Sequence, residues 1–489
     1  MAAEKSKSAT GFCEQPLEMR THNYVYGVDA LDGNDAWSLF EAAGQGDVDR
    51  AKKLLDNDPR LVNAQYWYQF PLHRAVEAGR TEMVCLLLDR GADPGQSRYT
   101  YNSWDKLLRS AQANGQQEIA TLLSSAMRHR FNFDDGFNCL KDAIISRDSA
   151  SIERVIRESP GLTKASDALG NNAIHWCVIT RQINWISRFV ELGTPIDGLR
   201  ADGQSPVLLA VSGATDYWYR ETRHREHSSM RNTSVLAGFL LALGADYSIS
   251  VAAAIGDSER VEQLIKIDRT LAQNRDSARI TPLTRAARSG YLHIVKLLID
   301  NGADPNLPEE CAPEGRALYE ACCGNHLSVA RLLLERGANP NAGVDSCECC
   351  LTIAEVCHGD QAKPLQELLL QYEAYVPPYR MNREQLKAAL LNQAPVVRHD
   401  EFLRCAMQNC DVELLDLLLS SDRTVISQLE VGDELTFLND RDLIARVLSR
   451  GFDGTRRDWQ GKTLIEKCRE GGHETLLQCL TGNSRQDTA

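Results

Sequence analysis

Apolar residues in this chain fall into short paired stretches with helical spacing, not into long runs or strict alternation. Leu72, Ala75 and Val76 mark one helix face, and after a brief polar break Val84, Leu87 and Leu88 mark a second. Pro71, Pro206 and Pro282 open such stretches, at a first-turn position where a missing N–H leaves nothing unsatisfied. Gly91, Gly244, Gly302 and Gly337 close the second stretch, where a helix end takes up the left-handed conformation. The pattern predicts pairs of short helices. Such a pair cannot bury its apolar faces alone, so neighbouring pairs must stack into one continuous core.

The pairs recur in register. "FPLHRAVEAGRTEMVCLLLDRGADPG" from Phe70 aligns with "TPLTRAARSGYLHIVKLLIDNGADPN" from Thr281 and "RALYEACCGNHLSVARLLLERGANPN" from Arg316. "SPVLLAV…VLAGFLLALGAD" from Ser205 follows the same order with an interruption. These segments resemble the ankyrin repeat, with its Thr-Pro-Leu-His-x-Ala helix start, mid-repeat Gly, Leu-Leu pair and Gly-Ala-Asp ending. The resemblance implies an all-α fold, an α-solenoid of helix-turn-helix repeats joined by short hairpin-like connections. It places repeats from about Asn34, Gln65, Gln96, Phe133, Asp167, Ala201, Tyr247, Asp276, Glu309 and Gly343. It also implies that His73 and His175, on the motif His, tie neighbouring repeats by hydrogen bonds.

Four regions are expected. Residues 1–33 read as a polar, disordered tail with Tyr24 and Tyr26 as its docking groups, and 34–374 as the solenoid. Residues 375–481 keep a degenerate two-helix rhythm and end in a cap, and 482–489 read as a second disordered tail. Two repeats depart from the pattern inside the solenoid: the one from Phe133 lacks the Gly-Ala-Asp ending, and "YSISVAAAIGDSERVEQLIKIDRTLAQ" has a shortened start.

The largest departure is an insertion at about 213–232, "DYWYRETRHREHSSM" at its centre, which adds about 17 residues between two helices. Stacking does not need it, and segments of that kind commonly carry function. Tyr217, Trp218 and Tyr219 stand beside Arg220, Arg223, His224, Arg225 and His227, a combination suited to anchoring a protein interface or gripping carboxylate or phosphate. Glu221, His224 and His227 at successive i+3 spacing are an alternative metal set, though "HREH" matches no zinc-hydrolase pattern. Tyr66, Trp67, Tyr68, Tyr99 and Tyr101 cluster near the connections before the second and third repeats, which the resemblance makes fingers beside a concave surface. The resemblance extends that surface along Arg74, Ser110, Trp176, Leu209, Arg285 and Glu320. The two Tyr-Trp-Tyr copies lie four repeats apart, too far to form one site.

Composition narrows the function. A net charge of −13 disfavours a general nucleic-acid binder, which needs a basic surface. No stretch has the length and apolarity of a membrane span or a signal-peptide core. Fifteen cysteines, an odd number without a secreted-type framework, point to a reducing cytoplasmic setting. Six of them crowd into Cys322–Cys357, and the stretch from Cys347 to His358 is a second alternative metal or sensor cluster. There is no Gly-rich phosphate loop, Gly-x-Ser-x-Gly or paired Cys-x-x-Cys frame. The expectation is a non-enzymatic, cofactor-free, monomeric scaffold. Its partner would be a protein or peptide, held by aromatic fingers, Arg74, Trp176 and the insertion. A metal- or anion-dependent enzyme or sensor is the rival.

Overall fold

The computed structural model describes residues 15, 19–24, 30–66, 69–93, 104–212, 234–309, 312–344, 348–374, 381–391, 406–407, 411–421, 435, 440–449 and 463–482. The chain divides into two compact units, Leu17–Ala374 and Met1–Pro16 with Tyr375–Ala489.

Among the described residues the first unit holds ten helix pairs in chain order. They are Gly33–Gln45 with Val48–Asn57, Pro71–Glu77 with Thr81–Asp89, Trp104–Ala113 with Gln117–Phe131, Phe137–Ile145 with Ser149–Glu158, and Ala173–Thr180 with Ile183–Glu191. Then follow Pro206–Ser212 with Ser234–Ala242, Ile249–Ile255 with Ser258–Ile267, Pro282–Ser289 with Leu292–Asp300, Ala317–Cys323 with Leu327–Glu335, and Cys350–His358 with Lys363–Gln371. First helices stack on first helices, so Pro282–Ser289 lies between Ile249–Ile255 and Ala317–Cys323. Second helices form the other layer, with Leu292–Asp300 between Ser258–Ile267 and Leu327–Glu335. The fold is an all-α solenoid.

Local chemistry sets the helix starts. Thr281 caps its helix by accepting the Thr284 N–H, and Pro282 occupies the first turn. Aspartates begin several second helices: Asp47, Asp148 and Asp257 accept the N–H groups of Arg50, Ser151 and Arg260. Short antiparallel pairings precede some first helices, Tyr66 with Gln69, Glu309 with Ala312, and Gly343–Val344 with Glu348–Cys349. Ala, Leu, Ile and Val fill the interior between the layers, as in Ala286, Ala287, Val295 and Leu298.

The expected free tail to residue 33 needs correction. Residues 19–24 and 30–33 lie against the first repeat: Met19 is wholly buried, Tyr24 bridges Leu31, and the Tyr24 hydroxyl donates to the Gln65 carbonyl at 2.7 Å. Gly33 permits this docking, since a Cβ there would sit 2.2 Å from the Met19 carbonyl oxygen. Tyr24 is therefore a packing residue, and Tyr26 lies outside the described residues.

The second unit has its own core, including Leu386, Met407, Leu414, Ile444, Val447, Leu464 and Leu476. Its last helix pair, Leu464–Gly471 and Glu474–Gly482, opens with a reciprocal cap between Thr463 and Glu466. No described helix in either unit is long and apolar enough to cross a membrane.

Candidate partner-binding site

The root of the insertion is the best-defined part of the expected site. The helix Pro206–Ser212 leads into it and Ser234–Ala242 leads out. Ser212 is 3% exposed, and its hydroxyl accepts from Arg285 Nη1 at 2.7 Å. Arg285 belongs to the first helix two repeats further on, so this bond passes over the repeat between them.

The shortened repeat explains the crossing. It enters its first helix directly from Ser248, and that helix, Ile249–Ile255, carries Ala252, Ala253 and Ala254. Small side chains let Pro282–Ser289 pack close on one side and Pro206–Ser212 on the other. The connections before repeats six and eight then meet directly. Gly203, at φ +77°, lies so near Ser277 that a Cβ would stand 1.9 Å from the Ser277 carbonyl oxygen. Backbone approach of this kind requires glycine.

A buried polar line runs from this point in both directions. Ser212 also bonds Gln204 Oε1 at 2.9 Å, and Gln204 Nε2 donates to Asp202 Oδ2 at 3.1 Å. Asp202 receives Arg200 through Nε at 2.8 Å and Nη2 at 2.7 Å, a forked pair. Arg200 Nη1 reaches Asn171 Oδ1 at 3.5 Å, and Asn171 Nδ2 donates to Asp167. Burial raises the Asp167 carboxyl, against the opposing effect of its bonds from Asn171, Trp176 and Leu169. In the other direction Arg285 forks onto Asp276 Oδ2 at 3.1 and 2.9 Å. One repeat later Glu320 accepts Arg316 Nε at 2.8 Å and Arg288 Nη1 at 3.3 Å. Burial raises the Glu320 carboxyl, but Arg288 and Arg316 outweigh it and hold the group below its usual range.

Arg200 and Arg285, the two guanidinium groups nearest Ser212 along this line, already have the carboxylates of Asp202 and Asp276. The arrangement fixes neighbouring repeats and contains no nucleophile paired with a base.

The expected site residues separate into three groups. Tyr66 and Trp176 are buried, at 1% and 4% exposure, which corrects their reading as contact residues. Tyr66 is paired through its backbone with Gln69 while its ring is buried. Trp176 turns inward because its indole N–H donates to Asp167 Oδ2 at 2.9 Å. Arg74 is half-buried on the first helix of its repeat, with a guanidinium nitrogen 3.8 Å from Glu77. Trp67, Tyr68, Tyr99, Tyr101, Tyr217, Trp218, Tyr219, Arg220, Arg223, His224, Arg225 and His227 lie outside the described residues. So do Glu221 and Cys347 of the alternative metal sets. Of the inner line implied by the resemblance, Leu209, Arg285 and Glu320 are also buried.

The motif histidines are structural. His175 accepts the Asn172 N–H at Nδ1, which leaves Nε2 to donate to the Gln204 carbonyl of the next repeat at 3.1 Å. Burial pushes its pKa down to about 3, so the ring stays neutral. His73 is wholly buried and takes the Phe70 N–H at Nδ1. His358 bonds the Cys323 carbonyl at 2.7 Å. Among the described residues no group of three or more His, Cys, Asp or Glu is placed to hold a metal ion.

A stack of helix pairs in which His175 bonds the next repeat and Thr281-Pro282 opens a first helix has the features of an ankyrin-type solenoid. The model of the ankyrin-repeat family, described as three copies, matches residues 39–135 and 249–343, so these two segments carry ankyrin repeats. A mouse protein named 2-5A-dependent ribonuclease is 47% identical over 61 residues, covering 12% of this chain. The match spans 8% of that relative's own length. Ankyrin repeats generally mediate protein–protein interaction.

Proposed function

We propose that this chain is a non-enzymatic scaffold that captures a protein or peptide partner through the insertion at 213–232. The observation carrying this reading is the seating of the insertion's root: Ser212 is held by Arg285 across an intervening repeat. The helix that leads into a segment stacking does not require is thus fixed at Ser212 to the repeat after next. A rigid base presenting a variable segment is how recognition loops gain precision. Tyr217, Trp218 and Tyr219 supply broad contact area, and Arg220, Arg223 and Arg225 supply forked donors for carboxylates on the partner.

The matched segment of the ribonuclease is 61 residues long, so its name lends this reading no chemistry. We extend the proposal to a monomer in a reducing, cytoplasmic setting, as the cysteine usage suggests.

The test deletes residues 214–231, closes the gap with a short Gly-Ser linker, and compares affinity capture with the intact chain by quantitative mass spectrometry. The expected outcome is loss of the captured proteins with an unchanged helical circular-dichroism spectrum. Equal capture by both chains would overturn the assignment.

A further inference from the structure

The cysteines of the ninth and tenth repeats are not scattered. Cys322 and Cys323 end the helix Ala317–Cys323, while Cys349, Cys350 and Cys357 flank or lie in the helix Cys350–His358 packed against it. Two cross-repeat pairs result. Cys322 and Cys350 are both free, buried thiols hydrogen-bonded to each other, with Cys350 Sγ also 3.5 Å from the Ala342 carbonyl oxygen. Cys323 and Cys357 differ: Cys323 is half-buried, Cys357 is exposed, and their sulfurs stand 3.7 Å apart.

Neighbouring bonds fix this second pair in place. His358, the residue after Cys357, bonds the Cys323 carbonyl at 2.7 Å, and Asn325 Nδ2 donates to the Gln361 carbonyl at 3.4 Å. Two thiols from different repeats are thereby held in contact at the solvent edge. The sulfurs have to close from 3.7 Å to the ~2.05 Å of a disulfide.

We infer that Cys323 and Cys357 form an oxidisable dithiol site, which peroxides convert to a disulfide linking the ninth and tenth repeats. Cys357 is the residue an oxidant meets, because it is the exposed member. Its thiolate attacks one oxygen of hydrogen peroxide, breaking the O–O bond to give a sulfenic acid and hydroxide, which takes up the thiol proton as water. The Cys323 sulfur then attacks the Cys357 sulfur and displaces the sulfenic oxygen, which leaves with the Cys323 proton as a second water. Two thiols and one peroxide become one disulfide and two waters. Burial, then the Glu320 carboxylate, push the Cys323 thiol up to about 12, which keeps it protonated and leaves the first reaction with the oxidant to Cys357. In a reducing compartment such a bond forms transiently and reports redox state.

The experiment treats the reduced full-length chain with hydrogen peroxide, blocks remaining thiols, and maps peptides without reduction. A Cys323–Cys357 linked peptide is expected, with two fewer free thiols, an upward shift of the thermal midpoint, and reversal by dithiothreitol. In Cys323→Ser, a dimedone adduct is expected at Cys357, because the sulfenic acid then has no partner thiol. Cys139→Ser, exposed and far along the chain, leaves the linked peptide in place. Oxidation of wild-type Cys357 to sulfenic or sulfinic acid without linkage overturns the inference. So does linkage of Cys357 to a cysteine other than Cys323. Both outcomes are read on the wild-type chain and do not depend on how the variants fold.

Discussion

Glu309 shows how a single residue ties repeats together and makes stability depend on pH. Its side chain is wholly enclosed; Oε1 accepts the hydroxyls of Thr281 at 2.7 Å and Thr284 at 2.6 Å on the preceding repeat. Oε2 has no hydrogen-bond partner among the described residues, which suits a neutral acid. Burial pushes the carboxyl up to about 7 from its ordinary 4.5, against the pull of the two threonines. Between those values the folded chain keeps a proton that the unfolded chain has released. Stability should therefore fall as pH rises from about 4.5 to about 7, by roughly 3 kcal/mol, and then level off. Glu309→Gln keeps an acceptor for the threonines without the charge. Urea unfolding at about pH 5 and about pH 8 should show a smaller decline in the variant than in wild type. Equal declines would assign the pH dependence to other groups.

At the scale of elements, the seventh repeat decides the geometry around the insertion. Its missing connection and alanine-rich helix bring the connections before repeats six and eight together at Gly203 and Ser277. Gly203→Ala meets two penalties, a positive φ and a clash with a backbone oxygen 1.9 Å away. The expected destabilisation is about 1–3 kcal/mol, measured by chemical denaturation. Hydrogen exchange should quicken at Pro206–Ser212 and Pro282–Ser289 and stay unchanged in the first two repeats, because each repeat contacts mainly its neighbours. A uniform increase along the solenoid would contradict this local role. The shortened start is plain in the sequence. The contact between repeats six and eight is not, because it depends on how closely three first helices stack.

For the whole molecule, the division after Ala374 predicts that residues 17–374 fold without the rest. Expressed alone, that fragment should give a helical circular-dichroism spectrum and a cooperative melt. A disordered fragment would mean that the solenoid depends on the second unit. The sequence by itself determined the architecture. Periodic apolar pairs, prolines at helix starts and glycines at helix ends are local signals, and they recur often enough to reveal a stacked helical fold and its repeat boundaries. It also isolated the insertion, since a break in a regular period needs no structure to be seen. Only the tertiary structure decided that Tyr66 and Trp176 are buried. Both look like contact residues in sequence, yet each has a partner in the fold, Gln69 through its backbone and Asp167 through its carboxylate. Cys323 and Cys357, 34 positions apart, meet only because successive first helices stack with their ends aligned. Burial and pairing are properties of neighbours distant in sequence, and a single chain's residue pattern records its own periodicity but not those neighbours.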